Sequence, residues 1–325
     1  MNKARAEKEK VAVARLSVLS NSVLILIKVA AGIAMGSVSI ISEAAHSAVD
    51  LLASIIAFFS VRNSGKPADR DHPFGHGKIE NISGTVEAFL IFMAAGWIIY
   101  ESVSRLIHPR PVESLGWGVG VMLFSCMLNI MVSRQLFKVG ERTDSVALKA
   151  DAWHLRTDVY TSAGVMAGLL AIWIIERLKP GLHVHWIDPV AAMGVAVLIV
   201  HAAWRLTVQS ARDLLDTTLP LSERAIIRDL IASKKPEVHG YHKLRTRKSG
   251  HMRFIEFHML VDPDMNVKKS HRITDELTSL ITERLPYSTV TIHVEPCDGR
   301  CDDECTGNCL LPPDERLRRL KQSHG

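Results

Sequence analysis

Up to about residue 209 this chain of 325 residues is a succession of long apolar segments broken by turns and basic links. Six of these segments come close to the ~20 residues that a hydrocarbon core requires. The first runs from about Ala14 to Ala34, and the second continues after a tight Met35-Gly36-Ser37 turn to about Val61. The third covers Ile82 to Leu106, the fourth Leu115 to Phe137 and the fifth Ser145 to Ile175. The sixth opens at Asp188-Pro189, an N-cap followed by a first-turn proline, and ends near Val208. The expected fold of this part is an all-α six-helix transmembrane bundle. Apolar residues make up 47% of the chain, yet charged residues still reach 22%. That average conceals two unlike parts, a membrane part and a soluble one.

Basic residues set the expected orientation. They cluster in the N-terminal tail (Lys3, Arg5, Lys8, Lys10, Arg15), in the second loop (Arg62, Lys66, Arg70, Lys78) and in the fourth (Arg134, Lys138, Arg142, Lys149). The opposite loops are short and poor in Lys and Arg. The positive-inside rule then puts both termini in the cytoplasm of a multi-pass protein of the inner or plasma membrane. The first apolar segment is long enough to span and lacks a small-residue cleavage pattern, unlike a signal peptide. The net charge of +5 follows from this topology and requires no nucleic acid.

Inside the spans, ionisable groups are few and patterned. His46 and Asp50 stand four residues apart, and His154 and Asp158 repeat the spacing in the fifth span. On a helix each such pair projects from one face, so two facing helices supply two imidazoles and two carboxylates. A tetrahedral divalent cation such as zinc suits that set. An aspartate at the centre of a span opposes insertion by roughly 2.5 to 3.5 kcal/mol, a penalty that a bound dication or protons would relieve. Asn21, Lys28, Glu87 and Asn129 read as interhelical packing or snorkelling groups without a binding role. In the second loop, Asp69, His72 and His76 fall within eight residues, with Gly75 and Gly77 free to fold them together.

Several motifs together resemble the cation diffusion facilitator family of divalent-metal transporters. They are Ser42-Glu-Ala-Ala-His46-Ser-Ala-Val-Asp50, His72-Pro-Phe-Gly-His76-Gly-Lys78-Ile-Glu80, Asp151-Ala-Trp-His154-Leu-Arg-Thr-Asp158 and Trp186-Ile-Asp188-Pro189. The resemblance extends through Cys297 and is nearest to the bacterial zinc and ferrous-iron efflux branch. It implies a homodimer that exports cytoplasmic metal against protons by alternating access. His46, Asp50, His154 and Asp158 would form the transport site, and Asp69, His72 and His76 the loop site. That branch commonly has Asp where this chain has His46. Nitrogen in place of a hard oxygen favours zinc over manganese, magnesium or calcium, and leaves iron, cobalt, nickel and cadmium compatible. Imidazoles titrate near neutrality, so a site that holds either metal or protons is an exchanger in outline.

Beyond the sixth span, residues 210–296 read as a small α+β domain. A helix over Ser222 to Lys234, with Ser222 as N-cap, precedes strands near His242 to Arg247 and over Met252 to Val261. A helix over Val267 to Leu285 and a strand over Ser288 to Glu295 complete it. The resemblance implies a metallochaperone-like cytoplasmic fold in which His242, His258, His271, His293 and Glu295 bind metal between protomers. Residues 297–325 form the tail, where Cys297, Cys301, Cys305 and Cys309 recur every four residues. Two readings fit it, metal capture and a disordered thiol-bearing end, because this is not a standard zinc-finger spacing and Gly299, Gly307 and Pro312 argue against one continuous helix. Cys126 stands alone in the fourth span as a packing residue. His183 and His185 sit in an outer loop, and Arg316, Arg318, Arg319 and Lys321 form a basic segment that can meet anionic lipid.

Two rivals are weaker. A membrane metallohydrolase needs an open coordination position and a general base, whereas four ligands close this site and no His-Glu-x-x-His occurs. A membrane-bound metal sensor or scaffold would bind metal without moving it, and only flux separates that reading from a transporter.

Overall fold

The computed structural model describes residues 3–35, 38–108, 118–178, 186–299, 301 and 303–323. It divides into two compact units, Met1–Arg212 and Asp213–Gly325. His183 and His185 lie outside the described residues, as do Gly36 and Ser37 of the first expected turn.

Among the described residues, the first unit contains six long helices: α1 (Lys3–Met35), α2 (Val38–Ser64), α3 (Lys78–Ile107), α4 (Gly118–Arg142), α5 (Val146–Leu178) and α6 (Ile187–Leu214). Most run beyond their apolar segments, because charged residues can continue a helix that lipid does not touch. Thus α1 begins at Lys3 rather than Ala14, and α6 continues to Leu214. It starts at Ile187, so Asp188 falls inside the first turn rather than at the cap. Among the described residues, the stretches Arg5–Ala34, Lys78–Ser104 and Pro189–Leu214 are long and apolar enough to cross a membrane by length and composition. The first half of α5 is diluted by Lys149, Asp151, Arg156 and Asp158.

Helix α5 joins two apolar clusters. On one side Leu148 and Leu155 pack with Ala14 of α1, Val61 of α2 and Leu136 of α4. On the other, Ala150 packs with Ala88 and Ile91 of α3 and with Ile199 and Ala203 of α6. Small residues permit close helix approach where lipid supplies no hydrophobic drive between helices. Gly84 marks one close approach, since a Cβ there would lie 2.8 Å from Ser210 Oγ and 3.0 Å from Val146 Cγ1.

A buried polar hub sits among these helices. Glu80, in the first turn of α3, accepts hydrogen bonds from Lys10 Nζ (3.3 Å), Ser64 Oγ (2.8 Å) and Ser145 Oγ (2.6 Å). Lys10 also pairs with Glu7 at 2.8 Å. Lys10 and Glu80 are both fully buried. Lys10, counted among the basic residues of the N-terminal tail, is therefore an interior residue of α1. Two of the intramembrane polar groups pair between helices: Asn21 Nδ2 donates to Ser54 Oγ at 2.7 Å, and Lys28 Nζ to Ser47 Oγ at 2.7 Å, whereas Glu87 accepts from Ser83 of its own helix.

The second unit is α+β. Its elements are α7 (Leu221–Ala232), β1 (Val238–Ser249), β2 (Met252–Val261), α8 (Val267–Arg284), β3 (Ser288–Pro296), α9 (Asp303–Gly307) and α10 (Pro313–Ser323). The sheet has the order β1-β2-β3, antiparallel between the first two strands and parallel between the last two. On α8, Ser270, Ile273, Leu277 and Ile281 are buried at three- and four-residue steps. Together with Ile227 and Ile231 of α7 they cover Ile255, Phe257 and Met259 on one face of β2. Asn266 caps α8 by accepting from the Lys269 amide. Helix α7 starts at Leu221 behind Pro220, so Ser222, the expected cap, is inside the helix. Strand β1 begins at Val238, four residues before its expected start, because register shifts between Val238 and Gly240 and between His242 and Arg245 interrupt the alternation.

Candidate metal centres

Helices α2 and α5 bring the two His-x-x-x-Asp pairs together, and the contacts run across helices rather than along them. His154 Nε2 lies 3.1 Å from Asp50 Oδ1, and His46 Nε2 lies 3.8 Å from Asp158 Oδ1. His46, Asp50 and Asp158 each offer a ligand atom within 4.8 Å of the others. Asp50 and His154 are buried, while the His46 side chain is half exposed. Of the two pairs, His154 and Asp50 stand at hydrogen-bond distance and need one shared proton between them. The same atoms can therefore hold a proton or a metal ion, and not both.

The residues behind this centre are only partly legible in the sequence. Asp151, fully buried, accepts from Ser54 Oγ at 3.0 Å, and Ser54 in turn contacts Ser17 Oγ at 3.0 Å and accepts from Asn21. Asn21 also reaches the backbone carbonyl of Asp50 at 3.4 Å. Asp151 thus links α5 to α2 one turn from His154. A carboxylate three residues before a histidine ligand in a span was the available signal.

In the loop between α2 and α3, Asp69 is the organiser. Its Oδ1 accepts from the His72 amide (2.7 Å) and lies 3.1 Å from His72 Nδ1, while Oδ2 lies 3.3 Å from His76 Nε2. The His72 backbone N–H holds the Asp69 carboxyl below its ordinary value, and the two imidazoles add to this. Gly75 has φ +82°, a left-handed conformation that favours glycine. Gly77, expected to share that role, has an ordinary helical conformation at the start of α3.

In the second unit, strand register aligns His242, His258 and His293 in one row across the three strands. The row lies on the sheet face opposite the helices, because side chains alternate and Phe257 and Met259 face the core. Glu295 bridges the row: Oε2 lies 2.8 Å from His242 Nε2, Oε1 lies 2.8 Å from His258 Nδ1, and His293 Nε2 is 3.5 Å from Oε1. His271 stands apart on α8, exposed and 3.6 Å from Asp275. Burial raises the Glu295 carboxyl, but the His242 and His258 hydrogen bonds outweigh it and hold the group below its ordinary value. A carboxyl so depressed contributes stability that is fully present above about pH 4.5 and is lost as pH falls through its folded value. We expect the Tm difference between the metal-free wild type and Glu295→Gln, measured by thermal shift, to shrink below that pH. A difference that is constant with pH would exclude an ionic role for Glu295.

The tail is folded. Cys297 continues the β2–β3 pairing through its amide to Val261 O (2.8 Å), and Cys309 pairs with Gly240 at the free edge of β1. Cys297 and Cys305 are buried with Leu260, and Cys301 and Leu311 pack against them. Burial, followed by the neighbouring Cys301 thiol, pushes Cys305 up to about 12. His239, also buried beside these thiols, is held below the ordinary imidazole value by burial and by Arg319.

Two family models match the chain. The cation efflux transmembrane domain matches residues 14–215, and the cytoplasmic domain of cation efflux proteins matches residues 219–297. A transporter of Synechocystis is 35% identical over 81% of this chain and 83% of its own length. The cation-efflux pump FieF of Salmonella typhimurium is 34% identical over 85% of this chain and 89% of its own. A solved structure described as the metal-bound C-terminal domain of the CzcD transporter from Thermotoga maritima is 33% identical, covering 24% of this chain and 94% of that one, with a TM-score of 0.22. With both family models matched in sequence along most of its length, the chain belongs to the cation diffusion facilitator family and is a cation efflux transporter.

Proposed function

We propose that the protein exports zinc from the cytoplasm in exchange for protons, by alternating access at the centre formed by His46, Asp50, His154 and Asp158. The observation that carries this reading is the cross-helix pairing of His154 with Asp50 and His46 with Asp158. Without metal, a proton bridges His154 and Asp50, atoms that a dication would otherwise bind. Arriving zinc displaces protons, and protons arriving from the other side displace zinc. Two nitrogens and two oxygens in a small set suit tetrahedral zinc better than manganese, magnesium or calcium, while iron, cadmium, cobalt and nickel compete. Both termini lie in the cytoplasm, where the Asp69, His72 and His76 cluster takes up metal near the membrane surface. The His242, His258, His293 and Glu295 row senses cytoplasmic metal in a homodimer. His271 joins metal binding through the partner protomer.

The test is flux in proteoliposomes under an imposed proton gradient, with zinc, iron, cadmium and manganese in competition. Zinc is expected to move fastest, only when the gradient is present, and to acidify the compartment it leaves. Saturable binding without flux would identify a metal sensor or scaffold instead.

A further inference from the structure

We propose that the four tail cysteines hold a single structural zinc ion, which clasps residues 297–323 onto the sheet of the second unit. This site is independent of the transport reading, and neither family model extends past residue 297.

The four cysteines approach one cavity from four different local contexts. Cys297 follows directly on β3, and Gly299, at φ +81°, turns the backbone after it. Cys301 precedes α9, Cys305 lies within it, and Cys309 reaches the free edge of β1. All four line one cavity of about 10 Å³, room for a single water-sized particle. The cysteines are free thiols, so disulfides do not fasten the tail.

Few apolar contacts do so either. Beyond Leu310, which packs against the main core, the tail's apolar cluster consists of Leu260, Leu311 and three of the cysteines themselves. A segment of this length with so small an apolar core gains too little from burial to offset its ordering entropy. A tetrathiolate zinc site supplies that deficit, because metal binding and folding are then one event.

The surroundings suit the charge. Zinc with four thiolates carries two net negative charges, and among the described residues the cavity is lined by two guanidiniums, Arg316 and Arg319, and by no carboxylate. Arg319 also donates to Cys297 O at 3.0 Å and to Asp262 Oδ2 at 2.9 Å, fixing its position. His239 lines the same cavity, and its buried Nδ1 has no hydrogen-bond partner among the described residues. A cysteine thiolate is a suitable acceptor for a proton on that nitrogen.

Cobalt substitution of the full chain, purified reduced in detergent, tests the site. Thiolate ligands give tetrahedral cobalt an intense near-ultraviolet sulfur-to-metal band, which the nitrogen and oxygen centres elsewhere in the protein lack. The wild type is expected to show this band at one cobalt per chain, with zinc displacing it. Cys126→Ser should keep it, and replacing all four tail cysteines by serine should abolish it. Gly240→Leu removes no thiol, but its side chain meets Asn308 O and Cys309 Cα, already 3.2 and 3.4 Å from a Cβ at that position. It should therefore weaken the band by displacing Cys309. No sulfur band in the wild type, a band that survives loss of the four cysteines, or an iron–sulfur chromophore would overturn the proposal.

Discussion

Asp50→Ala and Asp158→Ala are each expected to abolish proton-driven zinc flux in proteoliposomes while leaving the protein folded and inserted. Each removes one carboxylate from a four-ligand set and leaves the histidine opposite without its partner, His154 at 3.1 Å or His46 at 3.8 Å. Three ligands still bind zinc weakly, but the paired carboxylate and imidazole that exchange a proton for metal are gone on that side. Losing one charged ligand costs affinity on the order of 10–100-fold or more, going by the effect of disturbing even the groups that support metal ligands. Loss of insertion is not expected, since removing an intramembrane carboxylate makes insertion easier by roughly 2.5 to 3.5 kcal/mol. The stability of the two variants therefore separates a transport defect from a folding defect. Wild-type flux in either variant would sink the assignment of the centre.

Glu80→Ala should do the reverse, with folding as the primary casualty. Its carboxylate joins α1, α2, α3 and the residue before α5 through Lys10, Ser64 and Ser145, all buried. Removing one partner of a buried ion pair typically costs about 3–5 kcal/mol, because the other charge stays inside without compensation. Glu7 still reaches Lys10, so the loss should lie toward the lower end of that range. A thermal melt of the purified protein reads it, and Glu80→Gln should fall between the two, keeping the hydroxyl contacts while losing the charge. A melt of Glu80→Ala indistinguishable from wild type would show that the hub contributes nothing net.

Local patterns made much of this legible in the sequence. Apolar length announced six helices, and the alternation of strand β2 fixed it from Met252 to Val261 with the bounds that the structure gives. The shared face of each His-x-x-x-Asp pair on α2 and α5 followed from helical geometry alone. What escaped depends on distance along the chain. Lys10 and Glu80 are seventy residues apart, and nothing local separates a buried lysine in a helix from one in a basic tail. Asp151 stood inside a recognised motif, but its partner Ser54 lies 97 residues away. The tail offered cysteines without a familiar spacing, and its path from β3 to the edge of β1 depends on pairing with Gly240, which no periodicity marks.

The histidine row on the sheet gives the second unit a built-in check on its own assembly. His242, His258 and His293 share one row only because the strands pair in a single register. A slip of β2 by one residue would send His258 inward and Phe257 outward, destroying the histidine row and the apolar core together. If the row binds metal as proposed, misregistered molecules fail to load it, and loading reports that the sheet has been built correctly.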